Sequence, residues 1–379
     1  MKICLLNVLH EAYDKRVYQK IARSLAGAGH ELVSICPNRE PLPPEKDGIR
    51  FIQIPRADSK KQRLVSLARL VKLGRQQHAE VYFAPEPESW VAALIIKLTT
   101  GGKVVFDMHE HVPTEFAKFF PGFLQKPMEW LTVRFMRLFA RVTDAIILTR
   151  ESFEEPWRGL KVPRTVVINT NHLQPPCAHV PEDLQARYGN RPTIIHQGQF
   201  GDVRGSYQLL DAVKILVQEF PELKCIVLGD YVFGSLDDYK QAIADAGLAD
   251  TFNIINAVPY DQVPAYISVS KVGLILFQPG PVNHTLAMPH KLFDYMRECR
   301  PVVAPGFALE VKHIMSQADC GRLVDVTDPH AIADAIGELL RDPALASRLG
   351  NQGRELVETT YNWSHDEQKL KNILNLLRE

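Results

Sequence analysis

The sequence predicts an α/β protein made of two doubly wound, Rossmann-like domains. Its 379 residues exceed one ordinary core and suit two domains. Short apolar runs alternate with helical patterns in the first half, and the second half repeats this design. Such alternation is typical of parallel sheets covered by helices on both faces. Ligands of these sheets bind beyond the carboxyl ends of the strands, so the residues after each strand are the candidates for a site.

Six apolar runs predict the strands of the first domain. They are ICLLNVL (3–9), ELVSICP (31–37), IRFIQIP (49–55), EVYFAP (80–85), KVVFDM (103–108) and DAIILT (144–149). Helical stretches separate most of them; residues 17–28 have helical spacing and end at Gly29, a suitable C-cap.

Six further runs predict the second sheet. They are PTIIHQG (192–198), KCIVLGD (224–230), TFNIINAV (251–258), VGLILF (272–277), PVVAPG (301–306) and GRLVDV (321–326). The proline-containing stretch 172–183 is the best linker candidate. We therefore expect domains over 1–178 and 179–363, facing each other across a cleft. A last helix within 364–379 either finishes the second domain or reaches back to the first.

The net charge of zero hides an asymmetry between the halves. Residues 1–180 carry 26 Lys and Arg against 18 Asp and Glu, and residues 181–379 carry 18 against 26. Either the two domains attract each other, or the first half meets an anionic partner such as a membrane surface or a lipid diphosphate. Neutral overall charge and the lack of a recognised module argue against a nucleic-acid partner.

The stretch HQGQFGDVRGSYQLLDAVKIL (196–216) is the strongest local signal. A buried strand ends at Gly198, a loop with Arg204 follows, and an amphipathic helix begins. Glycines allow backbone N–H groups to approach a phosphate, the helix N-terminus is partially positive, and a guanidinium pairs with phosphate oxygens. The alternative is an ordinary strand–turn–helix joint with a solvated arginine.

The stretch PVNHTLAMPHKLFDYMRECRPVVAPG (281–306) is the second signal. Lys291 and Asp294 lie one helical turn apart and share a face. They are either a surface ion pair or, because apolar residues crowd the same turns, a buried pair that needs a partner. A phosphate for Lys291 and a ribose hydroxyl for Asp294 would supply one.

Four ordered motifs carry a resemblance that spans nearly the whole chain. They are DKRVYQKIARSLAGAGHEL (14–32), VVFDMHE (104–110), RGSYQLLDA (204–212) and PHKLFDYMRECRPVVAP (289–305). With these the chain resembles the family 4 retaining glycosyltransferases of the GT-B fold, also called group 1 glycosyl transferases. The resemblance implies a cytoplasmic enzyme that moves a sugar from a nucleoside-diphosphate sugar to a saccharide or lipid-linked saccharide, in surface polysaccharide or glycoconjugate synthesis.

The resemblance also implies roles for donor-site residues. Arg204 corresponds to the basic residue that grips the donor diphosphate, and Asp294 to the acid that holds the ribose. The chain departs from the family pattern at two positions: Gln199 stands where a second basic residue is usual, and Leu286 where a first acid is usual. We expect Lys291 and Asn283 to take over their contacts, with Gly198 and Gln199 completing the donor site.

In the N-terminal domain, His109 corresponds to a residue under the reacting sugar. It hydrogen-bonds the donor sugar or positions the acceptor hydroxyl, unless it is a structural histidine. Glu110 is a rival for acceptor contact. Asp14 and Glu86 are assigned to the acceptor side, although Asp14 could merely balance a helix end. His109, Glu110, Arg204 and Asp294 form the predicted catalytic set.

No cofactor and no metal are predicted, because fixed cations and a helix N-terminus can neutralise a leaving diphosphate and the sequence has no Asp-x-Asp motif. No carboxylate pair of the glycosidase kind stands out. We therefore expect front-face attack, in which the diphosphate helps to take the acceptor proton.

Two segments of the first half mix features of a bilayer interface. Residues 56–78 are strongly basic, and residues 115–142 combine aromatic with basic side chains. They predict a peripheral contact with the inner face of the cell membrane; the alternative for 115–142 is a core-facing helix with a solvated basic side. A nucleotide-sugar epimerase of the same architecture and a non-catalytic sugar-nucleotide-binding protein are the competing functions.

Overall fold

A computed structural model describes residues 1–57, 59–280 and 282–378 of the chain. Position 58 of the basic segment and position 281 of the second motif lie outside the described residues. The chain divides into two compact units: Met1–Asn169 with Trp363–Glu379, and Thr170–Asn362. The first division falls a few residues before the predicted boundary after residue 178, and the predicted cleft between the domains stays a prediction.

The first unit contains an eight-stranded sheet. Its strands are β1 (Lys2–Leu6), β2 (Glu31–Pro37), β3 (Glu45–Lys46), β4 (Ile49–Ile54), β5 (Val81–Ala84), β6 (Lys103–Met108), β7 (Ala145–Leu148) and β8 (Arg164–Val166). Their order is β3-β4-β2-β1-β5-β6-β7-β8, and every pair except the antiparallel β3–β4 is parallel. The strand order reverses between β1 and β5, so the loops after these two strands form the binding position of a doubly wound sheet.

Helices connect these strands. They are α1 (Arg23–Gly27), α2 (Lys60–Arg75), α3 (Pro87–Thr100), α4 (Val112–Ala117) and α5 (Gly122–Ala140). The predicted helix over 17–28 begins with a π-helical stretch, Val17–Ala22, before α1 continues it. Gly29 follows with a φ of 82°, which confirms it as the residue that ends the helix.

The second unit contains a parallel six-stranded sheet and a two-stranded one. Its strands are β9 (Thr193–Gln197), β10 (Phe200–Gly201), β11 (Lys224–Leu228), β12 (Tyr231–Phe233), β13 (Phe252–Ile255), β14 (Val272–Leu274), β15 (Val302–Pro305) and β16 (Gly321–Val324). The large sheet has the order β13-β11-β9-β14-β15-β16, and β10 pairs with β12. Its order reverses between β9 and β14, which makes the loop after β9 the expected ligand position.

In the described part of the second unit, nine α-helices lie between or beside these strands. They are α6 (Glu182–Tyr188), α7 (Ser206–Glu219), α8 (Leu236–Asp245), α9 (Val263–Val269), α10 (Val282–Thr285), α11 (His290–Arg297), α12 (Leu309–Ala318), α13 (Pro329–Arg341) and α14 (Pro343–Thr359). The α/β class with two doubly wound units, predicted from the alternation of apolar runs, is confirmed.

The last helix, α15 (Trp363–Asn375), belongs to the first unit. Its Leu370 and Ile373 are buried in the same apolar core as β1. The Trp363 indole donates to Ser24 Oγ over 2.8 Å. The helix therefore completes the core of the N-terminal half. The sequence alone did not decide to which domain this helix belongs. None of the helices in the described parts of the chain is long and apolar enough to cross a membrane.

Candidate functional site

The loop between β9 and α7 has a backbone that requires glycine. Gly205 has a φ of 83° at the start of α7, and a Cβ atom there would lie 2.3 Å from the Leu276 carbonyl oxygen. Gly198 has a φ of 90°, but the nearest atom to its Cβ position is Lys291 Cε at 3.7 Å. The loop therefore leaves space beside Lys291 at the N-terminal end of the 14-residue helix α7.

Two cations lie at this loop. Lys291 Nζ is 2.9 Å from His196 Nε2, and the Arg204 guanidinium lies 5.5 Å from the centre of the Phe233 ring. The Arg204 Nε is buried and has no hydrogen-bond partner among the described residues. Burial and the neighbouring Arg204 charge lower the pKa of Lys291 to about 7, against the opposing effect of Asp294.

These charges suit the loop to binding an anion. Burial also lowers the pKa of Arg204, so both groups lie where their charged forms are disfavoured without an anion. His196 is neutral because burial and Lys291 hold its pKa well below the ordinary value. A diphosphate placed here would meet two cations and the free N–H groups of a helix N-terminus.

Helix α11 is held against the sheet by Tyr295. Its hydroxyl accepts the Gln197 N–H over 3.0 Å and lies 3.1 Å from the Ile195 carbonyl oxygen. A Cβ atom at position 273 would lie 2.4 Å from the Tyr295 ring, so β14 needs glycine there. This packing fixes the helix that carries both Lys291 and Asp294.

The Asp294 carboxylate points into a buried network rather than into open space. Its side chain is 1% exposed. Asn171 and Gln197 each donate to it over 2.8 Å, and the Tyr260 hydroxyl donates as well. The prediction that Asp294 holds a ribose therefore requires one of these donors to give way to the ribose hydroxyl. In the structure Asp294 fixes Asn171, near the start of the second unit, and the end of β9.

The remaining predicted donor-site residues lie on the same edge of the second unit. Gln199 is exposed, and its carbonyl oxygen lies 3.3 Å from His196 Nε2. Asn283 is half-buried in α10, and the non-acidic Leu286 follows that helix. Their contacts to a donor stay a prediction.

In the first unit, Asp107 lies near the end of β6 and His109 directly follows this strand, as predicted. A buried arginine, Arg16, contacts them. Arg16 donates to Asp107 through Nη2 at 2.7 Å and Nε at 2.9 Å. His109 Nε2 lies 2.5 Å from Asp107 Oδ2. Burial opposes the Asp107 charge, but Arg16 and His109 hold the pKa of Asp107 well below its usual range.

His109 is neutral in this arrangement, because burial lowers its pKa despite the nearby Asp107 charge. A carboxylate only accepts hydrogen bonds, so the short contact to Asp107 favours the tautomer with the proton on Nε2 and Nδ1 as an acceptor, although Arg16 Nε also lies 3.1 Å from Nε2. Arg16 fixes the carboxylate that orients His109. Glu110 is exposed and has no comparable setting in the described structure.

Glu86 anchors the loop after β1. Its side chain is 4% exposed and accepts the N–H groups of Val8, Leu9 and His10 over 2.6, 2.7 and 2.8 Å. Burial raises its pKa. Three backbone donors occupy most of the acceptor sites of this carboxylate, and its predicted acceptor contact stays a prediction.

The surroundings of Asp14 are compatible with both of its alternative roles, which are acceptor contact and stabilisation of a helix end. Its Oδ1 accepts the N–H groups of Arg16 and Val17 over 2.8 and 2.7 Å, which caps the first helical stretch. It also lines an open cavity of about 540 Å³ beside His10. His10 packs edge-on against the His109 ring, with centroids 4.9 Å apart.

The structure adds residues that the sequence analysis missed. Burial disfavours the charged form of His10, but Asp14, Glu86 and Asp107 outweigh it and raise the pKa of His10. His196 lies in the motif 196–216, but its position inside an apolar strand gives no indication of a function. Asn171 and Tyr260 lie in segments without a motif. Within the described residues, no group of three or more His, Cys, Asp or Glu side chains is placed to hold a metal ion.

Two family models match the chain. The model for glycosyl transferases of group 1 matches residues 183–356, and the model for glycosyltransferase family 4 matches residues 15–170. Together they include most of both units and nearly all of the candidate residues.

Curated relatives match over part of their length. A GDP-mannose-dependent alpha-(1-6)-phosphatidylinositol monomannoside mannosyltransferase of Mycolicibacterium smegmatis is 22% identical over 198 residues, which are 52% of this chain and 51% of that protein. An alpha-D-kanosaminyltransferase of Streptomyces kanamyceticus is 23% identical over 50% of this chain and 48% of its own. The chain thus spans about half the length of the curated relatives it matches.

Solved structures share the fold over the whole chain. HepE of Anabaena, in complex with UDP and glucose, has a TM-score of 0.73 at 15% identity and covers 99% of this chain and 100% of its own. Sucrose-phosphate synthase of Thermosynechococcus elongatus has a TM-score of 0.71 at 16% identity, with 100% and 99% covered. With both units matched by their family models, the chain belongs to the group 1, family 4 glycosyltransferases of the GT-B fold.

Proposed function

We propose that the chain is a retaining glycosyltransferase that moves a sugar from a nucleoside-diphosphate sugar to a saccharide or lipid-linked saccharide acceptor. The observation that carries the proposal is the placement of Arg204 and Lys291 beside the N-terminus of α7, where the second sheet reverses its strand order. Among the described residues neither cation forms an ion pair, although the Asp294 charge partly favours charged Lys291, and a donor diphosphate would supply the anion. Family membership supports the same reaction class.

The chemical step breaks the bond between the anomeric carbon and the diphosphate oxygen, and forms a bond from that carbon to the acceptor oxygen. Negative charge grows on the leaving oxygen, and Arg204, Lys291 and the α7 N–H groups stabilise it without reorganising. The acceptor proton passes to the departing diphosphate, which becomes basic as the bond breaks. Attack on the face that the diphosphate leaves retains the anomeric configuration, and no metal or organic cofactor takes part.

The first unit supplies a polar group of fixed orientation. Arg16 and Asp107 hold His109 with Nδ1 as its acceptor nitrogen. In this proposal His109 accepts a hydrogen bond from a hydroxyl of the donor sugar or of the acceptor. Glu110 is exposed and stays a second candidate for acceptor contact. Asp14 and His10, which line the cavity in the first unit, face the acceptor.

The donor nucleotide is tested with a panel. The curated mannosyltransferase is named for GDP-mannose, and the HepE structures hold UDP or UDP-glucose. GDP, UDP and their sugars are therefore the first compounds to screen by thermal shift, since a ligand that binds the folded state raises its melting temperature. If release of free nucleotide requires a saccharide acceptor, the chain is a transferase and neither an epimerase nor a non-catalytic binding protein. These alternatives are tested because Gln199 is not basic and Leu286 is not acidic.

A second proposal concerns the predicted membrane segment. Only Met136 and Ala140 of α5 are buried, so this helix is not the core-facing helix of the alternative interpretation. Phe119, Phe123 and Trp130 are 63%, 80% and 58% exposed. Phe139 is an exception: it packs against Trp90 with ring centroids 5.5 Å apart.

Basic side chains lie among these exposed aromatic residues. Lys126 and Arg141 are exposed, and the Arg134 guanidinium lies 4.6 Å from the centre of the Trp130 ring. Exposed aromatic residues interleaved with cations match a bilayer interface with anionic lipid. The basic segment 56–78 adds α2, in which Leu64 and Val65 are 71% and 52% exposed. We propose that this face of the first unit binds the inner surface of the cell membrane.

Replacing Arg204 with alanine removes one of the two diphosphate cations. We expect turnover to fall on the order of a hundredfold or more, because a fixed charge at the leaving oxygen is lost. Initial rates of nucleotide release measure the effect, and Arg348→Ala, which removes an exposed arginine paired with Asp319, is the matched control. A rate for Arg204→Ala equal to that of the control contradicts the assigned role.

Replacing Lys291 with methionine should stabilise the unliganded protein and weaken donor binding. The lysine pKa falls from 10.5 to about 7 on folding. The unfolded chain therefore binds more protons between these values, and wild-type stability rises with pH through this window. The advantage of the variant in the free energy of unfolding should be greatest at pH 7 or below and shrink towards pH 10.5.

Urea unfolding at several pH values measures this advantage, and nucleotide titration measures the loss of binding. The exposed Lys240→Met is the control. A Lys291 variant that binds nucleoside diphosphate as tightly as wild type would remove Lys291 from the donor site.

Replacing Phe123, Trp130 and Phe135 together with serine should abolish sedimentation with vesicles of phosphatidylcholine and phosphatidylglycerol. The change removes exposed apolar area that inserts into the interface and leaves the cations in place. Leu376→Ser, which changes an apolar residue that is 57% exposed just after α15, is the control. Wild-type protein that ignores anionic vesicles, or a triple variant that still sediments, refutes the membrane proposal.

A further inference from the structure

The second unit has a cavity at the edge of its sheet opposite the donor site. Its volume is about 680 Å³. Three of its lining residues are cations that lie one or two positions before neighbouring strands: Arg191 before β9, Lys271 before β14 and Arg300 before β15. Because β9, β14 and β15 are adjacent in a parallel sheet, their amino ends bring these cations to one place.

The charged residues among the described lining of this cavity are all cations. None of the described lining residues is Asp or Glu. Nearby acids are engaged elsewhere: Asp342 Oδ1 accepts the Leu345 N–H over 2.9 Å, and Glu298 accepts the Cys177 N–H over 2.8 Å and the Arg297 Nε–H over 3.1 Å. The basic cavity thus lies in the half of the sequence that carries an excess of acids.

The Arg300 guanidinium has a fixed orientation, but one of its donors has no hydrogen-bond partner among the described residues. One of its terminal nitrogens donates to the Ser268 carbonyl oxygen over 2.9 Å, which fixes the guanidinium. Its Nε is buried and has no hydrogen-bond partner in the described parts of the chain. Burial lowers the pKa of Arg300, and burial with the Arg300 charge lowers that of Lys271. A bound anion would relieve both effects.

The cavity also has apolar lining residues. Phe220, Leu339 and Leu340 line it beside Pro301. A site with convergent cations on one wall and apolar side chains on the other suits a small molecule that joins a charged group to a less polar body.

We propose that this cavity is a second anion site, which takes a phosphorylated small molecule through Lys271 and Arg300. It is separate from the donor site, because the two lie at opposite ends of the strands of one sheet. The proposal does not depend on the reaction that the chain catalyses.

The test uses inorganic phosphate as the probe and calorimetric titration as the readout. The background is the Arg204→Gln, Lys291→Gln variant, so that phosphate cannot bind at the donor site. We expect one phosphate per chain in this background. Adding Lys271→Gln should weaken binding about tenfold or more, because a charge-assisted hydrogen bond is lost.

Two further variants keep the outcome clear. Arg300→Gln should weaken phosphate binding to a similar degree, with circular dichroism to verify folding because Arg300 also holds Ser268. The exposed Lys240→Gln makes the same charge change away from the cavity and should leave phosphate binding unchanged. Absence of phosphate binding in the background, or equal effects of Lys240→Gln and Lys271→Gln, overturns the proposal.

Discussion

The donor site depends on two half-buried cations at the carboxyl end of a parallel sheet. Arg204 and Lys291 lie together beside the start of α7, and the Arg204 charge lowers the pKa of Lys291. A protein selected for stability alone would place an acid or an apolar side chain here. The positive charges of Arg204 and Lys291 are favourable when an anion of two or more charges occupies the loop. A donor diphosphate has that charge.

The surrounding structure serves to hold these cations in place. Gly205 allows the sharp entry into α7, and the Tyr295 hydroxyl fixes α11 to the neighbouring strands. Asp294 adds to this support, since it binds Asn171 and Gln197 rather than standing open at the surface. The first unit repeats the principle with different residues, where Arg16 and Asp107 set the orientation of His109.

Much of this arrangement could be predicted from the sequence. Apolar runs located the strands because buried parallel strands have little else in them, and the residues after β9 followed from the rule for ligands at strand ends. The roles of Asp294 and Glu86 could not be predicted in the same way. Whether a carboxylate faces a ligand or accepts backbone and side-chain donors depends on partners distant in sequence, such as Asn171 for Asp294 and Val8 for Glu86. The basic cavity escaped prediction for a similar reason, because its three cations are far apart in the chain and meet only through the strand order.

A crystal structure with a bound nucleoside diphosphate tests the central claim most directly. The account predicts phosphate oxygens within hydrogen-bond distance of the Arg204 guanidinium and Lys291 Nζ, with backbone N–H groups at the start of α7 completing the contacts. A diphosphate bound elsewhere, with both side chains unchanged and turned away from it, would contradict the account.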